Sequence, residues 1–274
     1  MYTGKAKIQQ AKWFRGVIVM KDLILRYFDA YSNLFGIISM KRAYRIIEKQ
    51  NPELNLTKEQ FAEIVNELDF PDKYYVIWSE EEVYDENADD APLFEKLLIA
   101  EYVLTFGDTE DYEKLKFEQG DRPFYVPEKD ELLKYEDEFY SERTKHVVAL
   151  ENYLKDDLGL TNYKGIVDDF SGMLVIDDDE PDRVILELKR MGAPKFKEFS
   201  SKEQAYKFFM LYTNLRNHTR KHTHRGHTPF ELDDCYEFDG FIEDGVLSKV
   251  ETPCRNGKCP CGSGKKYKRC CGKE

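Results

Sequence analysis

The first 234 residues of this chain contain no cysteine; all six lie beyond that point, four of them within the last sixteen residues. A secreted domain stapled by disulfides would spread its cysteines through the fold, so the pattern fits a reducing, cytoplasmic setting. No stretch approaches the roughly 20 consecutive apolar residues of a membrane-spanning helix. The opening "MYTGKAKIQQAKWFRGVIVMKDLILRYFDAY" has a short apolar patch but no small-residue cleavage site, which argues against a signal peptide. There is no internal repeat and no long low-complexity segment. In the body, acidic residues outnumber basic ones, 52 to 34. From Cys254 to Glu274 seven basic residues face one acidic residue, a local +6, so residues 1–253 carry −18 of the overall −12. An acidic body with a basic tail confines any polyanion contact to the tail.

What is present suffices for a folded protein. The 274 residues are 41% hydrophobic and 14% aromatic, enough for one large domain or two or three small ones. The pattern predicts a mainly α protein. Leu23, Ile24, Tyr27, Phe28 and Tyr31 recur at helical spacing directly after Met20, so residues 1–19 are expected to be a loosely ordered extension and Met20 a candidate start. Residues 36–50 read as a helix with Ser39 as N-cap. "TKEQFAEIVNEL" opens with a capping box, Thr57 to Gln60. "YYVIWSEEEVYDE" at 74–86 resembles a short hairpin. Helix, helix, hairpin is the order of a winged-helix-like unit. Further helices are predicted over 93–106, over 128–157 with a break near Thr144, from 166, from Pro181 to Gly192, and over 201–220. The expected organisation is an N-terminal extension and helix (1–35), a winged-helix-like unit (36–106), a helical middle domain (107–239), a linker (240–253) and a small zinc-binding tail (254–274).

That tail, "KCPCGSGKKYKRCCGKE", places Cys259 and Cys261 ahead of the adjacent pair Cys270 and Cys271, with eight residues between Cys261 and Cys270. A phosphate loop requires glycine five residues before Gly264 and Ser or Thr after Lys265; the chain has Cys259 and Lys266 there. Nothing singles out one thiol as a nucleophile with a histidine partner. Adjacent cysteines bridge each other poorly, because the disulfide geometry is strained. Four soft ligands with glycines between them suit a structural Zn²⁺ ion, which a closed tetrahedral thiolate set holds with no open position for substrate. Cys259, Cys261, Cys270 and Cys271 are therefore the expected metal ligands. Lys265, Lys266, Lys268 and Arg269 form the expected partner-docking face.

"RNGKCPCGSGKKYKRCCG" resembles the SEC-C motif, found at the C-terminus of the bacterial translocase ATPase SecA, in YecA-like proteins and on many otherwise unrelated bacterial chains. The usual Arg-Asn-Asp-Pro run is Arg255-Asn256-Gly257-Lys258 here, and Cys271 stands where histidine is common. Neither departure removes a ligand. The resemblance covers about twenty residues and implies zinc, a bacterial origin and docking to a chaperone or the ribosome. "FGIISMKRAYRIIEKQ", "RPFYVPEKDELLKYEDEFY" and "NHTRKHTHRGHTPFEL" are similar to segments of firmicute-type proteins that end in the same motif.

Four of the five histidines fall within residues 218–227. His218 and His222 have the i, i+4 spacing of a helical metal pair. Arg216, Arg220, Lys221 and Arg225 are candidate contacts to an anion or nucleic acid. The third reading is a solvated basic turn in which Thr219 and Arg220 make structural bonds. Asp177–Glu180 either holds a divalent cation or serves the dipole of the helix that follows. Cys235 and Cys254 are spare, and Trp78 is either a wing-tip contact or core. The winged-helix-like unit raises nucleic-acid binding, but the second helix offers Lys58 against Glu59, Glu63 and Glu67, a poor match to phosphate. No nucleophile–base pair or cofactor loop marks an enzyme. The expectation is a cytoplasmic interaction or adaptor protein whose basic tail docks to a chaperone, ribosome or other acidic partner, with a nucleic-acid-binding regulator as the alternative.

Overall fold

The computed structural model describes residues 4–68, 73–85, 87–107, 109–176, 181–235, 256–257 and 263–270. The chain is mainly helical and divides into two compact units, residues 1–140 and 141–274. None of the helices among the described residues is long and apolar enough to cross a membrane.

The first unit is organised around α1, Gly4–Phe35, which is helical from its first turns where the sequence predicts a loose extension. Its buried stripe is Ile24, Tyr27, Phe28, Tyr31, Leu34 and Phe35. This is the apolar face set by i, i+3, i+4 spacing. Gly36, at φ 68°, ends the helix with its amide on the Ser32 carbonyl, the left-handed stop that glycine permits. Three residues, Ile37–Ser39, then form β1. Ser39 N-caps α2, Met40–Gln50, by accepting from the Arg42 amide. Thr57 and Gln60 close the predicted capping box of α3, Lys58–Asn66. Phe61, on α3, meets Phe28 edge-on and Tyr44 in a tilted pair.

Three sequence expectations fail here. Residues 93–106 form a short 3-10 turn, the strand β3 (Leu97–Ala100), and a second 3-10 segment rather than one helix. A continuous apolar run such as Leu97-Leu98-Ile99-Ala100 does not distinguish a buried helix from a central strand. β3 is central: it pairs antiparallel with β1 on one side (Ile37 opposite Ile99) and with β2, Tyr75–Trp78, on the other (Tyr75 opposite Ala100). The hairpin over 74–86 is likewise absent. Only its first half is a strand, and Ser79 opens a capping box with Glu82 that starts α4, Glu80–Tyr84. Trp78 packs with Ile99, Val103 and Tyr112 as core. α5, Glu110–Gln119, was not signalled by any periodic stripe. Over 128–140 a short α6, Lys129–Leu132, and a 3-10 turn replace the first part of the long helix, and Asn33 on α1 pins that turn through the Tyr135 carbonyl.

The second unit is a helical bundle: α7 (Lys145–Asn152, N-capped by Thr144), α8 (Tyr163–Val175), α9 (Pro181–Gly192), α10 (Lys202–Asn217, N-capped by Ser201) and the short α11 (Pro229–Leu232). The break predicted near Thr144 is the start of α7. Ile166, Phe170, Leu174, Leu188 and Phe208 fill the core, with Tyr212 edge-on to Phe170.

A buried histidine loop and the candidate zinc tail

α10 ends at Asn217, and the chain then folds inward instead of running over the surface. Lys221 is fully buried, and His222 and His224 are 3% and 4% exposed. The solvated turn expected from composition is thus a packed insert. Its architecture follows from unsatisfied helix ends. The last carbonyls of a helix have no partner within it. Lys221 sends its ammonium to the Leu174 carbonyl at 2.9 Å, and the His222 amide reaches the Val175 carbonyl at 3.0 Å. The loop therefore plugs the C-terminus of α8, where a cation also suits the dipole. It is closed on itself by Lys221 amide to His227 carbonyl and Gly226 amide to Lys221 carbonyl. Arg225 and Gly226, at φ 51° and 81°, supply the reversal.

Arg220 is 12% exposed and is committed to structure: its Nε donates to Glu142 at 2.7 Å, and its Nη1 donates to Glu231 and to the Gly226 carbonyl, each at 3.0 Å. Thr219 donates its hydroxyl to the Leu215 carbonyl. Lys221 and Arg220, two of the four candidate anion contacts, are thus engaged inside the unit. Arg216 and Arg225 lie on the same end of it.

One ring stack connects this loop to the tail. His146, in the first turn of α7, lies on His218 with centroids 3.8 Å apart, and His218 lies on Phe230 at 4.5 Å. His218 donates from Nδ1 to the Asn214 carbonyl, which fixes its tautomer. Burial, with the neighbouring His218 and Lys145, pushes the His146 imidazole down to about 3, so it is neutral near pH 7. Phe230 belongs to α11, which Thr228 and Glu231 open with a full capping box and Pro229 at N1. Phe230 then meets Tyr267 of the tail edge-on, at 6.1 Å.

A second link lies one turn on. Asp233 sits at φ 61° as the C-cap of α11, and its carboxylate accepts from the backbone and side-chain amides of Asn256. Those bonds hold the Asp233 carboxyl below its usual range. Within the tail, Tyr267 donates its amide to the Gly257 carbonyl at 2.8 Å and begins a 3-10 turn, Tyr267–Arg269. Gly264 is at φ 70°. The turn delivers Cys270, whose sulfur lies 3.2 Å from the Ser263 hydroxyl. Lys265, Lys266 and Arg269 are exposed and Lys268 is half-buried.

Cys259, Cys261 and Cys271 lie outside the described residues, as do Cys254 and Asp177–Glu180. Among the described residues no three His, Cys, Asp or Glu side chains converge as a metal site, His218 and His222 included. Their i, i+4 spacing does not act as a helical pair because α10 stops at Asn217. Cys235 is partly buried. Sequence reasoning missed the packing of the loop and its contact with the tail. The Thr228-Pro229-Phe230-Glu231 capping box was the available signal.

Residues 255–273 match the SEC-C motif. The chain is also similar to protein translocase subunits SecA: 57% identical over 35 residues to that of Alkaliphilus oremlandii, covering 13% of this chain and 4% of the relative. It is 64% identical over 33 residues to that of Thermodesulfovibrio yellowstonii, covering 11% and 4%. It is 39% identical over 79 residues to that of Campylobacter fetus, covering 26% and 9%. The chain spans under a tenth of the curated relatives it matches. No solved structure matches the chain.

Proposed function

We propose that this chain is a cytoplasmic zinc-binding adaptor. Its basic SEC-C tail docks to an acidic surface on a chaperone, the ribosome or another protein partner. Cys259, Cys261, Cys270 and Cys271 hold one structural Zn²⁺; four thiolates are a donor set that suits zinc and leaves no ligand position for a substrate. The ion fixes the tail, and Lys265, Lys266, Lys268 and Arg269 make the contact. The observation that carries the reading is the SEC-C match over residues 255–273, in a segment where Lys265, Lys266 and Arg269 are exposed. The SecA relatives align with at most about a quarter of the chain, so in this reading the motif accounts for attachment and the rest of the body for what is attached. The alternative, a nucleic-acid binder using the 216–225 loop, is disfavoured by the burial of Lys221 and the three bonds of Arg220.

The test pairs metal analysis with capture. The purified chain is expected to carry one zinc, and Cys259→Ser with Cys261→Ser to carry none. Tagged wild type is expected to retain a defined chaperone or ribosomal partner, identified by mass spectrometry, that the double variant loses. Retention of the same partner by a protein lacking residues 254–274 would remove the tail from the docking role.

A further inference from the structure

The first unit carries a separate cleft of about 260 Å³, between α1, the lead into β2 and the turn at 136–139. Its volume lies below the roughly 300–1,000 Å³ of pockets that enclose drug-sized ligands. A single long side chain matches it better than a metabolite. Two aromatic rings stand at its rim almost uncovered: Tyr74 is 67% and Phe139 85% exposed. Lone exposed rings are ordinary; two of them beside one concavity are not scattered surface. Nor is Phe139 on a loose strand of chain. The Asp137 carboxylate accepts its amide at 3.0 Å, and Asn33 holds the Tyr135 carbonyl at 2.9 Å. The turn therefore presents the ring in a defined place.

The lining is acidic. Asp29, Glu136, Asp137 and Glu138 line it with Lys73; Arg26 donates to both oxygens of Glu136, so Asp137 and Glu138 are the surplus of negative charge. Lys73 reaches both oxygens of Asp29, at 2.6 and 2.9 Å. Burial still lifts the Asp29 carboxyl above its usual range despite that partner. Carboxylates flanked by exposed ring faces are complementary to a cationic side chain. A guanidinium suits them best, because it stacks flat on rings while its edge bonds oxygens.

We propose that this cleft is a docking site for an arginine-bearing basic segment of a protein partner, with Tyr74 and Phe139 stacking on the guanidinium and Asp137 and Glu138 supplying the anions. This site lies on the first unit and does not depend on the tail's docking.

The test uses the full chain and a fluorescein-labelled Gly-Arg-Gly-Arg-Gly peptide, read by anisotropy. Saturable binding is expected, and it should weaken roughly tenfold or more in Tyr74→Ala with Phe139→Ala. That double variant removes exposed rings, keeps every charge, and its fold is checked by circular dichroism. The citrulline version of the peptide is expected to bind no better than the double variant does. Cys270→Ser with Cys271→Ser should bind as wild type, so loss of the tail reading leaves this result standing. Absence of saturation up to about 1 mM peptide, or equal affinity in the ring variant, would reduce the cleft to diffuse acidity and overturn the proposal. So would a concentration-dependent dimer abolished by Phe139→Ala, which assigns the cleft to a second copy.

Discussion

His146 shows how one residue can tie stability to pH. Its imidazole is depressed from 6.5 to about 3 because the folded unit buries it against His218 and near Lys145. Between those values the unfolded chain binds a proton that the folded chain refuses. Stability therefore rises with pH across that window, and the contribution is complete above 6.5 and lost as pH falls toward 3. Urea midpoints measured from pH 7 to pH 4 are expected to drop steadily for wild type. His146→Phe, which keeps a ring on His218 but cannot be protonated, should flatten that slope; an unchanged slope would relocate the effect to other groups. None of this was legible in the sequence, where His146 stands alone, seventy-two residues from its stacking partner His218.

At the scale of elements, local chemistry was readable and long-range pairing was not. Ser39, Thr57, Thr144 and Ser201 announce helix starts through side-chain oxygens that accept orphan amides, and all four do so. β3 was misread because its apolar run acquires meaning only from β1 and β2, which lie far off in sequence. The cysteine spacing identified the tail, since ligand sets are local. The inward fold of residues 217–228 was hidden by polar composition: its driving force is the open carbonyl end of α8, forty-odd residues earlier. α11 joins these levels. It is too short for its packing alone to hold it, so its capping box matters. Thr228→Ala is expected to lower stability by about 1 kcal/mol, seen as a shift in denaturation midpoint, and to broaden the Tyr267 aromatic resonances by loosening Phe230. A midpoint within error of wild type would assign α11's stability to Arg220 and Glu231 alone.

For the molecule as a whole, each unit has its own core, with α1 central in one and the α7–α10 bundle in the other. Residues 1–140 and 141–274, expressed separately, are expected to give cooperative melts by circular dichroism, and zinc should raise the midpoint of the second only. A non-cooperative profile for either fragment would show that it depends on the other. Within the second unit, Asp233 clasps Asn256 across 23 residues of chain. The bond closes that span of chain, and the closure cost grows slowly with length: doubling the span costs only about 0.6 kcal/mol in closure entropy. Chain inserted between those two residues is therefore expected to cost little. A reporter domain could be spliced there with the clasp, the ring contact and the tail cysteines all left intact, giving a way to follow the protein without touching either of its proposed attachment surfaces.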